Sequence, residues 1–294
     1  MKITNVILLE VIVEGDKMNE VLLDTLIDTL KLIPFLFLAF LLIEYMEHKL
    51  SKKSRNAISK AGRFGPFFGS LLGAIPQCGF SVMATNLYAT RIVTLGTLIA
   101  IYLSTSDEML PVLIANHASF SLIIKILLVK IIIGIICGML IDLIIKPKKE
   151  TKYEHYEICE HDHCDCEHSI IKSSLKHTFS ILIFIIIITF ILNYAMNFVS
   201  EETLKNLFYS NSVLGPIFSS LIGLIPNCSA SVLITQLYID NIISFGTTIS
   251  GLLSGSGVAL LVLFKQNKNI KENIIILITV YIIGVISGII LNII

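Results

Sequence analysis

Six strong metal ligands, Cys159, His161, His163, Cys164, Cys166 and His168, fall within ten residues, interleaved with Glu160, Asp162, Asp165 and Glu167. Imidazole and thiolate together suit Zn and softer ions, and the carboxylates raise the local cation concentration. No C-x2-C pair of a folded zinc finger is present, so the run reads as a flexible metal-capturing tract. A merely solvated linker would account for its length and charge but not for six Cys and His. Two further cysteines each follow a proline and an amide, in Pro76-Gln77-Cys78 and Pro226-Asn227-Cys228. A thiolate pair selects Zn, Cu(I) or trivalent arsenic, whereas a lone buried Cys is simply a small hydrophobe. Asp107 and Glu108 stand side by side between apolar stretches. Carboxylates there mark ion or proton pathways, unless they sit in an external loop ending at Pro111.

The composition says what must position these groups. The chain has 294 residues, 54% hydrophobic and only 15% charged, against about 25% charged for a soluble domain, with a mean hydropathy of +0.83. A water-soluble protein is excluded. Lys and Arg balance Asp and Glu at 22 each, so no basic field draws nucleic acid and none is expected as a partner. Six cysteines are too few for a secreted disulfide scaffold and read as reduced thiols. Trp is absent, which leaves interfacial anchoring to Tyr, Lys and Arg. Crossing roughly 30 Å of hydrocarbon takes about 20 apolar residues, and 22–46, 120–146, 176–199, 243–264 and 273–293 qualify. The first residues carry Glu10, Glu14 and Asp16 and no small-residue cleavage site, so a cleavable signal is not expected.

The chain repeats itself. Residues 64–106 overlay 214–256 without a gap, with 21 identities in 43 positions, among them Gly65/Gly215, Pro76/Pro226, Cys78/Cys228, Ser81/Ser231 and Tyr88/Tyr238. Fifteen Lys and Arg gather after the first span, in the centre and before the last span, while the other connections hold Lys2, Lys17 and Lys205. The positive-inside rule then puts the central loop in the cytoplasm and both termini outside, with Arg91 inside and Asp240 outside. Repeat-matched loops on opposite sides require an odd number of crossings per half, hence an inverted repeat. The expectation is an all-α polytopic protein of ten helical pieces: a first repeat over 1–146, a linker over 147–175 and a second repeat over 176–294.

Pro76 and Pro226 each interrupt a stretch long enough for one helix, so half-helices meeting at an unwound bend are expected, as a re-entrant hairpin or a tight helix couple. Irregular backbone at membrane depth survives only where protein buries it or water lines it, and in inverted-repeat transporters that is the substrate site. The candidate residues are Gln77, Cys78, Ser81 and Asn86 from one half, and Asn227, Cys228, Ser229, Ser231 and Gln236 from the other. Ser104, Ser106, Asp107 and Glu108 join them, as does Ser254, where the second half reads Ser254-Gly255-Ser256-Gly257-Val258. Ser70, Ser220 and Gly73 are read as packing residues. Glu44 and His117 are weaker candidates, and Lys125 and Lys130 either snorkel or pair with an acid.

EYMEHK, AGRFGPFFGSLLGAIPQCGFS, LGTLIAIYLSTSDEMLP, the His/Cys loop and PNCSAS closely resemble a bacterial family described as ten-transmembrane heavy-metal exporters, with members labelled arsenic efflux protein or manganese transporter. The resemblance implies an exporter of the bacterial cytoplasmic membrane, with Pro76, Gln77, Cys78, Ser104 to Glu108, Pro226, Asn227 and Cys228 at the core of its site. No GxxxxGK[ST] occurs, so a proton or ion gradient is the expected drive. The expected partners are the bilayer, a Mn, Zn or arsenic species, a coupling proton or ion and optionally a second copy as a homodimer. No permanent cofactor is expected beyond a transported or loop-bound metal ion. One alternative is a transporter of a small anion held at half-helix N-termini, with the cysteines merely packing. The other is an intramembrane enzyme, against which no HExxH and no Cys-His pair lies in the membrane portion.

Overall fold

The computed structural model describes most positions between 22 and 41, residues 64–145 apart from Asp107, residues 170–196 and residues 214–293. The described positions between 22 and 41 are helical. Eleven further helices follow: α1 (Gly65–Gly73), α2 (Cys78–Ala89), α3 (Leu95–Ser104), α4 (Met109–Ala115), α5 (Phe120–Ile144), α6 (Ile170–Met196), α7 (Leu214–Gly223), α8 (Cys228–Ile239), α9 (Phe245–Ser254), α10 (Ala259–Gln266) and α11 (Ile270–Ile293). Helices α7 to α11 reproduce α1 to α5 almost residue for residue at an offset of 150, as Cys78 and Cys228, Leu95 and Phe245, or Phe120 and Ile270 show.

Among the described residues, five stretches are long and apolar enough to span a membrane: Leu95–Ala115, Phe120–Ile144, Ser174–Ile191, Phe245–Gln266 and Ile270–Ile293. Their surfaces confirm the solvent they are built for. On α5, Ile124, Leu128, Ile132, Ile136 and Leu140 lie outside, while Ile123, Ile126, Lys130, Gly134 and Gly138 are buried. That outer stripe is thus wholly of large apolar side chains, and the glycines face protein, the arrangement of a multi-pass membrane protein. The stretch Leu95–Ala115 is one that a search for uncharged runs passes over, because Asp107 and Glu108 interrupt it. It is two helices, not one. The same break recurs between α9 and α10, so each half has one more helical piece than the five expected. Pro111 fits the first turn of α4, and Gly255 and Gly257, the latter with φ of 54°, release the chain between α9 and α10.

Glycine governs the packing. A Cβ on Gly138 would come 2.6 Å from the Gly96 carbonyl, 2.8 Å from Ala100 Cβ and 2.9 Å from Pro66 Cβ. A Cβ on Gly288 would likewise come 2.7 Å from the Gly246 carbonyl and 3.1 Å from Pro216 Cβ. Helices α1, α3 and α5, and likewise α7, α9 and α11, therefore meet backbone to backbone. A polar clasp fixes their register: Asp142 accepts from the Thr94 hydroxyl at 2.6 Å and the Gly96 amide at 2.8 Å. Its repeat-mate Asn292 accepts from the Ser244 hydroxyl at 2.6 Å.

These contacts also settle the shape of the proline-broken segments. Gly65 lies against Thr97 and Gly73 against Ile101 and Ser104, so α1 and α3 run in the same direction. Helix α2 reverses into α3 through Arg91, whose φ is 60°, with the Ile92 amide bonded back to Leu87. Helices α1 and α2 therefore form a hairpin, with its turn at Ala74–Gln77 level with the end of α3. Asn241, with φ of 57°, makes the matching reversal after α8.

Gly138→Leu should destabilise the protein by about 1–3 kcal/mol through overpacking, read as a lower unfolding midpoint in detergent. Ile136→Leu, on the lipid face of the same helix, should leave the midpoint unchanged.

Candidate functional site

The turns of the two hairpins meet. Cys78 and Cys228 are the first residues of α2 and α8, and their sulfurs lie 3.7 Å apart. Both turns close alike, with the Gln77 amide on the Ile75 carbonyl and the Asn227 amide on the Ile225 carbonyl, each at 2.7 Å. The Asn227 side chain caps α8 by accepting from the Ser229 amide at 3.2 Å, whereas Gln77 makes no such cap on α2. Burial differs too. Asn227 and Cys228 are buried, while Pro76 is exposed and Gln77 and Cys78 half-buried, so the contact is accessible from the first hairpin.

Two thiolates about 2.3 Å from one tetrahedral ion stand about 3.8 Å apart, so the sulfurs are already at chelating separation. Both also lie at helix N-termini, where dipoles favour electron-rich groups. The Ser81 and Ser231 hydroxyls donate to the Cys78 and Cys228 carbonyls at 2.8 Å in both halves. Thr85 and Thr235 repeat the motif one turn on, each at 2.7 Å. These serines shape the first turn beside the sulfurs and keep only their lone pairs for a ligand.

A second polar group sits at the end of α3. Ser104 donates to the Ala100 carbonyl at 2.9 Å, Thr105 to Ile101 at 2.7 Å and Ser106 to Ser104 at 2.9 Å, all buried. Lys130, 1% exposed at mid-span of α5, donates its ammonium to the Thr105 carbonyl. It reaches inward and does not snorkel. Glu108 is half-buried and precedes α4. Ser254 donates to Ser250 at 3.2 Å at the end of α9.

Two expected residues lie away from the turns. Asn86 is 2% exposed with neither side-chain polar atom bonded. Gln236 is eight residues along α8 from Cys228 and pairs with Asp240 at 3.1 Å and Asn116 at 3.5 Å. Asp107 and the tract Cys159, His161, His163, Cys164, Cys166 and His168 fall outside the described residues. Among the described residues no three His, Cys, Asp or Glu gather to hold a metal.

Beyond the sulfur contact, sequence reasoning did not find the contacts that join the halves. Arg91 donates to Glu272 through both terminal nitrogens, at 2.5 and 2.8 Å, and Tyr88 donates to the same carboxylate. The hydrogen bonds to Glu272 hold the Arg91 guanidinium above its ordinary range. Tyr102, fully buried, shares a 2.6 Å hydrogen bond with Thr85 and reaches the Ala259 carbonyl at 3.4 Å. Its only signal in the sequence is a tyrosine where the second half has Leu252. At the other end of the molecule, the Lys125 ammonium lies 4.4 Å from the centre of the Phe245 ring.

A family model described as "Putative, 10TM heavy-metal exporter" matches residues 17–199 and 166–294. No curated protein and no solved structure matches the chain.

The sulfur contact is directly testable. In a variant with Cys137, Cys159, Cys164 and Cys166 replaced by Ala, phenylarsine oxide, which bridges neighbouring thiols, should protect both Cys78 and Cys228 from maleimide, as counted by mass spectrometry. Adding Cys78→Ser should restore labelling of Cys228.

Proposed function

The chain belongs to the ten-transmembrane heavy-metal exporter family, whose model covers residues 17 to 294, and from that premise we propose that it is a secondary transporter exporting a soft metal or metalloid from the bacterial cytoplasm. The observation that carries this reading is the meeting of Cys78 and Cys228, 3.7 Å apart, between two helix breaks. Within the family's range of substrates, this chemistry favours trivalent arsenic or Zn over Mn. Thiols prefer soft acceptors, Mn prefers oxygen, and two helix N-termini oppose a hard cation.

An inverted repeat working by alternating access gives that site its cycle. Two contact sets between the halves support it. Arg91, Tyr88 and Glu272 join the halves near Lys265, Lys268 and Lys271, a segment that the positive-inside rule puts in the cytoplasm. Asn116 with Gln236, and Lys125 with Phe245, join them beside connections poor in Lys and Arg. The charged latch then closes the cytoplasmic end, and opening it costs a two-pronged, partly exposed ion pair that arriving substrate must offset. The tract over 153–169 follows as a cytoplasmic loop that concentrates metal ahead of the latch.

One observation favours a second reading. Cys78 and Cys228 are also helix N-terminal residues, so a small anion held by amides, with the sulfurs merely packing, fits the same place.

Accumulation in cells lacking their own exporters separates the two. Wild type should lower intracellular arsenic or Zn several-fold, and Cys78→Ser with Cys228→Ser should return it to the level of empty cells. Asp107→Asn should also abolish export, whereas deletion of 153–169 should raise the metal concentration needed without abolishing it. Full export by the double serine variant would overturn the thiol site and favour the anion.

A further inference from the structure

The two breaks at the ends of α3 and α9 share a backbone plan but differ in what fills them. In the first half Thr105 closes α3: its amide bonds the Ile101 carbonyl at 3.0 Å and its hydroxyl the same oxygen at 2.7 Å. The Lys130 ammonium then occupies the outward-turned Thr105 carbonyl. In the second half Gly255 replaces Thr105 and Val280 replaces Lys130, so both the hydroxyl and the tethered cation are missing. No amide cap from Gly255 closes α9.

What remains is a cradle of oxygens. A Cβ on Gly255 would find the carbonyl oxygens of Gly251, Leu252 and Gly223 at 3.5, 3.7 and 3.9 Å, with nothing nearer. The next residue, Ser256, is 0% exposed and its hydroxyl has no partner. A buried hydroxyl without a hydrogen bond destabilises the fold unless a ligand meets it. The negative end of the α9 dipole points into the same place.

We propose that this break, Ser254–Val258, is a sodium site in the space that the Thr105 side chain fills in the first half, beside a carbonyl that there is held by Lys130. Carbonyl and hydroxyl oxygens with no carboxylate among them suit a monovalent hard cation, and half-helix C-termini with unwound carbonyls are how inverted-repeat transporters hold Na+. The coupling role of the ion rests on the transporter reading; its binding does not. Export would then run on a sodium gradient, with Gly255 and Ser256 releasing the ion as α9 moves against α7.

The test is the unfolding midpoint of the full-length protein in detergent, in NaCl against choline chloride at equal ionic strength, with KCl and LiCl as further arms. A ligand of the folded state raises the midpoint until it saturates, so NaCl should raise it by a few degrees at millimolar concentrations. Ser256→Ala should weaken the response at least tenfold in sodium concentration. Val280→Lys, which restores a tethered ammonium, should abolish it. Equal midpoints in NaCl and choline chloride, an unchanged response in Ser256→Ala, or a response to KCl and not NaCl would each overturn the proposal. No substrate enters this measurement. A chain that binds sodium but moves no metal defeats the transport reading alone, and one that exports metal without a sodium response defeats the site alone.

Discussion

A peptide group without a partner costs several kcal/mol in hydrocarbon, and among the described residues the helices break off after Gly73, Ser104, Gly223 and Ser254. The rest of the structure depends on keeping those four breaks away from lipid. Each lies at an inner end of a helix clamped on both sides. Short turns absorb part of the cost, as in the bonds from Gln77 to Ile75 and Asn227 to Ile225. Side-chain hydroxyls absorb more: Ser81, Thr85, Ser231 and Thr235 donate to carbonyls of their own helices. At Thr105 the remaining carbonyl is met by a lysine drawn into the centre of the bundle.

Burying those breaks demands interiors of small residues, because lipid offers helices no hydrophobic reason to associate. Gly96, Gly134 and Gly138, with Gly246, Gly284 and Gly288, let the long helices approach to backbone contact. Each clamp then presents its hairpin turn to the middle. The halves interlock there: α2 packs against α10 of the other half, and α8 against α4. The sulfur contact is thus held by both halves at once, and any movement that parts Cys78 from Cys228 must also slide α2 along α10.

Much of this was legible from the sequence because the repeat preserves identities at structurally demanding positions. Pro76 and Pro226 marked the breaks, and the offset of 150 that aligned them also paired the cysteines. The family follows from the same residues. The extra breaks at 105–108 and 255–258 were harder, since neither segment contains a proline; Pro111 comes only after α4 has begun. Asn86 and Gln236 stand at matching positions of the repeat, and Asn86 is buried with both side-chain polar atoms unbonded. Gln236, however, sits where α8 meets Asp240 and Asn116, and its hydrogen bonds are satisfied there. Arg91 and Glu272 are separated by 181 residues and have no ionic counterpart in the repeat, so no local pattern could join them.

The departures from symmetry are therefore the informative part of the molecule. A repeat in which both halves had the same chemistry would offer two arrangements of equal energy. Here the first half carries fixed charge, in Lys130, Glu108 and Arg91, where the second has Val280, Val258 and Asn241. A tethered ammonium contributes to every state of the cycle, because it cannot leave. An exchangeable ion contributes only to the states in which its site is closed, and so biases them by its concentration. On the sodium reading proposed above, a gradient acts on the break after α9, while Lys130 holds the break after α3. The thiols lie where both hairpins turn, so a bias on α9 reaches them through α7, which packs against α9 and leads into the Asn227–Cys228 turn.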